Sequence, residues 1–147
     1  METMTQEDKE LLLKDLCARL DTNLVCSIYR TDDEGVGYRD EILHGYCKGD
    51  IWYEFYFRED CSISIDNVSK IKPYLIPMSS MTEEQKREYN SLRDFVPTYH
   101  YEYGDIVEDT ELYDNWGSID YLIANHFDYR GLIPKGLALD ATGLKIY

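Results

Sequence analysis

The stretch that most constrains the fold is Ile51 to Phe57, where Ile51, Tyr53, Phe55 and Phe57 alternate with Trp52, Glu54 and Tyr56. A period of two puts the first set on one face of a strand and the second on the other. Such a strand needs partners at its edges and a layer over its apolar face. The neighbouring segments supply the partners. LVCSIYR, from Leu24 to Arg30, is β-branched and aromatic, Arg39 to Cys47 reads as a second strand, and Cys61 to Ile65 as a short fourth. Between them, Asp32 to Gly37, Lys48 to Asp50 and Arg58 to Asp60 carry the glycines and acids of tight turns. Connections this short make consecutive strands neighbours, so an antiparallel meander of three to four strands is expected.

Helices are expected to cover it. Thr5 and Asp8 give a helix-start signal, and Leu12, Leu13, Leu16, Cys17 and Leu20 follow at helical spacing. Thr82 and Gln85 form a capping box for a second helix, whose apolar face runs through Tyr89, Leu92 and Phe95 or Val96 until Pro97 stops it. Ser118 reads as the N-cap of a third helix through about Phe127, with Gly131 beyond its end. Pro73 and Pro77 make IKPYLIPMSSM a structured connector. Thr98 to Asn115 fits an edge strand or a long ordered loop. The predicted architecture is one α+β domain over residues 1–147: an N-terminal helix, the meander, and two C-terminal helices packed on one face.

Charge narrows the partners. Against 29 Asp and Glu there are 15 Lys and Arg, a formal net charge of −14. Direct binding to nucleic acid or to an anionic membrane is therefore disfavoured, and a charged partner should be basic. The excess is local. Asp94, Glu102, Asp105, Glu108, Asp109, Glu111, Asp114, Asp120 and Asp128 fall in a window without Lys or Arg. The same window holds Tyr99, Tyr101, Tyr103 and Tyr113, from a total of 14 tyrosines. Tyrosine offers a rigid, amphipathic contact and is enriched at interfaces. Other tyrosines, Tyr53, Tyr56 and Tyr89 among them, fit the sheet face or the core rim.

Signals for catalysis are sparse. Glu34 to Gly37 lacks the spacing and lysine of a phosphate loop, and DIVEDTELYD lacks the acid spacing of a calcium loop. Cys17, Cys26, Cys47 and Cys61 match neither a zinc site nor a disulfide scaffold and read as buried free thiols. No cofactor or metal is expected. His44 reads as a half-buried sheet residue and His100 as a surface contact. In HFDYRG, His126, Asp128, Tyr129 and Arg130 bring a base, a carboxylate, a phenol and a guanidinium into five residues, the best small-ligand or nucleotide site on offer. Cations at a helix C-terminus, with Arg130 paired to an acid, account for the same residues structurally. The amino-terminal METMTQEDKE resembles no leader, and no apolar run is long enough to cross a bilayer, so a cytoplasmic protein is expected.

Three strings, LLLKDLCARL, IKPYLIPMSSMTEEQ and HFDYRGLIPKGLALDA, resemble small uncharacterised proteins of gut Bacteroides-type bacteria and their phages. The resemblance implies a cytosolic protein of phage or mobile-element origin and brings no catalytic residues. The expected function is a non-enzymatic, protein-binding accessory or anti-defence factor. It would present Tyr99, Tyr101, Tyr103, Asp105, Glu108, Asp109, Glu111, Tyr113 and Asp114 to a basic partner surface. A homo-oligomer interface made by the tyrosines is the plainer rival.

Overall fold

The computed structural model describes residues 4–32, 35–48, 53–57 and 61–147. The fold is α+β, with three α-helices and mostly antiparallel strands among the described residues. They group into two compact units, Met1–Ser80 with His126–Tyr147, and Met81–Asn125.

The first unit is a six-stranded sheet with α1 (Gln6–Ala18). Its strands are β1 (Val25–Asp32), β2 (Gly35–Lys48), β3 (Tyr53–Phe57), β4 (Cys61–Ser64) and β5 (Ile71–Leu75), closed by the two-residue β8 (Leu139–Asp140). The order is β4-β3-β2-β1-β5-β8. β1 to β4 pair antiparallel in sequence order, but β5 adds to the other side of β1, and β8 pairs parallel to β5. The sheet is therefore mixed and larger than the expected meander. IKPYLIPMSSM is the reason: Ile71–Leu75 forms a strand whose buried residues alternate, where two prolines suggested a connector. Pro73 is tolerated because β8 reaches only Tyr74 and Leu75, leaving Pro73 beside an open edge on that side.

Two local features also depart from expectation. Gly35, Val36 and Gly37 pair with Asp32, Thr31 and Arg30, so the two ends of the Asp32 to Gly37 tract belong to strands, while Asp33 and Glu34 lie outside the described residues. In β2 the register shifts between Leu43 and Gly45, making His44 the extra residue of a bulge. The bulge lets Leu43 and Tyr46, three apart, meet Phe57 and Phe55 across the ladder, and it leaves His44 exposed rather than half-buried. The turns expected at Lys48 to Asp50 and Arg58 to Asp60 lie largely or wholly outside the described residues.

The core of this unit joins Leu12 and Leu16 of α1 to Leu24, Cys26 and Ile28, Leu43, Phe55 and Phe57, Ile71 and Leu75, and Leu132 and Leu137 of the tail. Cys26 is buried as expected, and burial pushes its thiol pKa well up; Cys17 is exposed on α1. The Thr5 side chain caps α1 by accepting from the Asp8 N–H at 3.1 Å. At the other end of α1, Asp15 and Arg19 are both fully buried, and Arg19 Nε donates to Asp15 Oδ2 at 2.9 Å. Arg19 Nη2 donates to the Phe127 carbonyl at 2.6 Å, fastening α1 to the tail.

The second unit contains α2 (Glu83–Leu92), β6 (Asp94–Glu102), β7 (Asp105–Tyr113) and α3 (Trp116–Ala124). The capping box at Thr82 and Gln85 is present. α2 stops at Leu92, short of the expected Phe95 or Val96, because both of those residues pair across a hairpin, with Leu112 and Glu111. Pro97 disfavours helical geometry at Val96, and the β-propensity of Phe95 and Val96 does the rest. α3 is capped by Asn115, not Ser118. Ser118 is its third residue, and its hydroxyl returns the bond to the Asn115 N–H at 2.8 Å.

Arg19→Met is expected to cost about 3–5 kcal/mol, because it strands the Asp15 carboxylate in the core beside the weaker Arg130 contact. Urea unfolding measures it. A loss under about 1 kcal/mol would show the pair to be dispensable.

Candidate functional site

The expected ligand cluster falls in the first unit, and the acidic window, apart from Asp128, in the second. In the first, the backbone of His126 to Asp128 lies along the chain at Ile76: Ile76 N–H donates to the His126 carbonyl, and Asp128 N–H to the Ile76 carbonyl, each at 2.8 Å. This bridge holds HFDYRG in place, and each side chain then finds its own partner. Asp128 accepts from the Leu132 and Ile133 N–H groups at 2.8 and 2.9 Å, shaping the turn that buries Leu132. The Tyr129 ring has the guanidinium carbons of Arg19 and Arg130 at 5.5 and 4.9 Å. Arg130 Nε donates to Tyr129 Oη at 3.1 Å and lies 3.4 Å from Asp15 Oδ1, the acid pairing that the structural account anticipated. Burial pushes the Asp15 carboxyl pKa up against the pull of both arginines.

His126 points elsewhere. Its ring stacks on Tyr147 at 3.6 Å between centroids and 10° between planes, and its Nδ1 is buried with no hydrogen-bond partner. Burial, reinforced by the Arg19 charge, lowers its pKa to about 4. Tyr147 Oη is in turn tied to the backbone, accepting from the Val25 N–H at 3.0 Å and donating to the Tyr74 carbonyl at 2.8 Å. The four residues named from sequence thus share a neighbourhood without converging on a common point. A depression of about 320 Å³ nearby is lined by Ile76, Ser80, Ala141, Thr142 and Tyr147, and by none of the four.

The acidic window folds differently. β6 and β7 form a two-stranded hairpin with Tyr103 and Gly104 as a two-residue loop, both at positive φ (52° and 85°). That is the geometry of a type I′ turn, whose twist suits antiparallel strands. Both faces of the ribbon are largely exposed. The register sorts the side chains. Phe95, Pro97, Tyr99 and Tyr101 face the same way as their partners Leu112, Thr110, Glu108 and Ile106. On the other face lie Asp94, Glu102, Asp105, Asp109 and Glu111, with Val96, Thr98, His100, Val107 and Tyr113.

The acids and tyrosines that sequence placed on one interleaved surface are therefore largely segregated. Tyr99 and Tyr101 are 65% and 80% exposed on the aromatic face, beside Phe95 and Ile106, both 66% exposed. Tyr103 sits in the loop at 98% exposure. On the acidic face His100 is a surface contact: Nδ1 lies 3.1 Å from Asp109 Oδ2 and Nε2 3.5 Å from Glu102 Oε2. Tyr113 donates to Glu111. Asp114 is committed to the frame of the unit. It accepts from Tyr89 and, at 3.1 Å, from Ser118 Oγ, and it lies 3.4 Å from Arg93 Nε. Burial and that carboxylate raise the Tyr89 phenol to about 12.

Sequence reasoning missed Phe95 and Ile106 as part of the exposed face, with Leu112 half-buried beside them. The signal was there in the alternation on either side of Tyr103 and Gly104. Among the described residues no group of three His, Cys, Asp or Glu is placed to hold a metal ion, and no helix is long and apolar enough to cross a membrane. No family model, curated protein or solved structure matches the chain.

The His126 environment predicts a pH response. An unfolded histidine takes up a proton near pH 6.5, whereas folded His126 resists it until about pH 4. Its contribution to stability is complete above pH 6.5 and is lost as the pH falls toward 4, with a slope of up to about 1.4 kcal/mol per pH unit. Asn tolerates the left-handed backbone at this position (φ 62°) and does not titrate, so His126→Asn should flatten the slope in that window. Parallel stability–pH curves for the two proteins would contradict this assignment.

Proposed function

We propose that this chain is a non-enzymatic, protein-binding factor that contacts a basic partner through the β6–β7 ribbon. One observation carries this reading: the ribbon leaves Phe95, Tyr99, Tyr101 and Ile106 exposed in a window that contains no Lys or Arg. A two-stranded ribbon is marginal by itself in water, and an exposed apolar face rimmed by charge is the usual mark of an interaction surface. The contact residues are Tyr99, Tyr101 and Tyr103 with Asp105, Glu108, Asp109 and Glu111. Asp114 is excluded because three residues of the frame, Tyr89, Ser118 and Arg93, share its carboxylate, whereas Asp109 and Glu111 each have one exposed partner on the ribbon itself. The resemblance to phage-associated proteins makes a host nucleic-acid-binding protein the partner class to test first, with the acids taking the place of phosphate charge.

The rival reading, a small-ligand site at His126, Asp128, Tyr129 and Arg130, has weaker support. Asp128, Tyr129 and Arg130 already have their hydrogen bonds and ion pairs within the fold, and the His126 ring is taken up in its stack on Tyr147.

Capture from lysate should weaken with rising salt. It should fall roughly tenfold or more when Glu108, Asp109 and Glu111 become Gln, Asn and Gln, and again when Tyr99 and Tyr101 become Ser. Capture of the same partner at equal yield by both variants would remove the ribbon from the interface.

A further inference from the structure

We infer that the outer edge of β7 is a docking site for one extended segment of a partner protein, carrying Lys or Arg at alternate positions, which adds to the ribbon as a third strand. This inference rests on the reading above and specifies its geometry.

The two edges of the ribbon are not equivalent. In a two-residue hairpin the closing pair, here Glu102 and Asp105, is hydrogen-bonded across the ladder, and bonded and non-bonded pairs then alternate. Thr98 and Asp109 are a bonded pair on this count. Pro97 and Thr110 are a non-bonded pair, so both of their backbone nitrogens face outward. On the β6 edge that position carries proline, which has no N–H to offer an incoming strand and is one of the usual guards of an exposed edge. On the β7 edge, Ile106, Glu108 and Thr110 direct N–H and C=O groups outward with no proline, lysine or register break among them. Farther along, the outward Leu112 carbonyl is taken by Arg93 Nη2 at 2.8 Å. The open stretch is thus Ile106 to Thr110, and among the described residues β6 is the only strand paired with β7.

Charge selects the occupant. Asp105, Asp109 and Glu111 project from one face of β7 and Glu108 from the other. A strand laid alongside would set the Cβ atoms of its alternate residues about 4.5–5.5 Å from those of the acids opposite, where opposite charges stabilise and like charges destabilise the pair. A second copy of this chain is disfavoured on the same ground. Antiparallel pairing of β7 with itself about Glu108 places Glu108 against Glu108 and Asp105 against Glu111. The carboxylates leave the edge open to a basic strand while guarding it against self-association.

The test uses the full chain and three synthetic peptides: alternating Lys and Val, the same peptide with its central Val replaced by Pro, and the same peptide with Glu for Lys. The alternating Lys–Val peptide should bind at low salt and slow amide exchange at Ile106, Glu108 and Thr110, while the other two fail. Thr110→Pro removes one outward N–H opposite Pro97 and leaves the β6–β7 bonds intact, so it should weaken binding roughly tenfold. Amide exchange in the unaltered protein decides the matter if that variant does not fold. Equal binding of the Pro-containing peptide, or binding without slowed exchange at the three amides, would overturn strand addition. Loss of binding in the Glu108, Asp109 and Glu111 variant would still uphold a charge-based contact. Concentration-dependent dimerisation protecting the same amides would overturn the choice of occupant.

Discussion

Much of the first unit depends on one buried ion pair. Asp15 and Arg19, one turn apart on α1, are both withdrawn from water, which is costly for each charge unless it is paired, and Asp15 Oδ1 and Arg19 Nη1 are left without a hydrogen bond. Arg19 meets that need partly through the Phe127 carbonyl, and Asp15 partly through Arg130. The pair therefore requires the tail to return to the N-terminal helix. Once the tail is there, Asp128 can organise Leu132 and Ile133, and Leu132 and Leu137 can complete the core above the sheet. His126 and Tyr147 close the same arrangement by stacking. The residues of HFDYRG thus help to fasten the fold.

The second unit has the opposite character. Its frame is local: Asp114 gathers Tyr89, Arg93 and Ser118, and Asn115 caps α3 while its amide donates to the Leu92 carbonyl at 2.8 Å. Beyond that frame the ribbon exposes large aromatic surface on one side and carboxylates on the other. Exposed apolar residues scattered singly need no explanation, but a contiguous face does. Segregating the two chemistries gives the ribbon a largely apolar side and a charged side.

Features governed by local rules were legible in the sequence. Thr5 and Thr82 cap their helices because a hydroxyl before an apolar-periodic run has an N–H to satisfy wherever the rest of the chain goes. The strands from β1 to β4 followed from alternation. What could not be read depends on partners distant in sequence. Phe95 and Val96 continue the helical spacing of Tyr89 and Leu92, and only Leu112 and Glu111 across the ladder make them a strand. Ile71–Leu75 looked like a connector until Cys26, Ser27 and Ile28 supplied its ladder. Arg130 was expected to find an acid, but nothing in the sequence says that the acid is Asp15 of α1. At the candidate surface, the composition of the window and its alternation were plain from sequence, whereas which residues share a face across the two strands depends on the register that the Tyr103–Gly104 turn sets.

We place the proposed partner contact on the ribbon. Photo-cross-linking in cells, with p-benzoylphenylalanine at position 101 or at position 38, tests it most directly, since Tyr101 and Tyr38 are comparably exposed at 80% and 69% and lie in different units. A contact on the ribbon yields a discrete cross-linked partner from position 101, attached through a Lys- or Arg-rich segment, and none from position 38. A partner captured from position 38 with none from position 101 would contradict it.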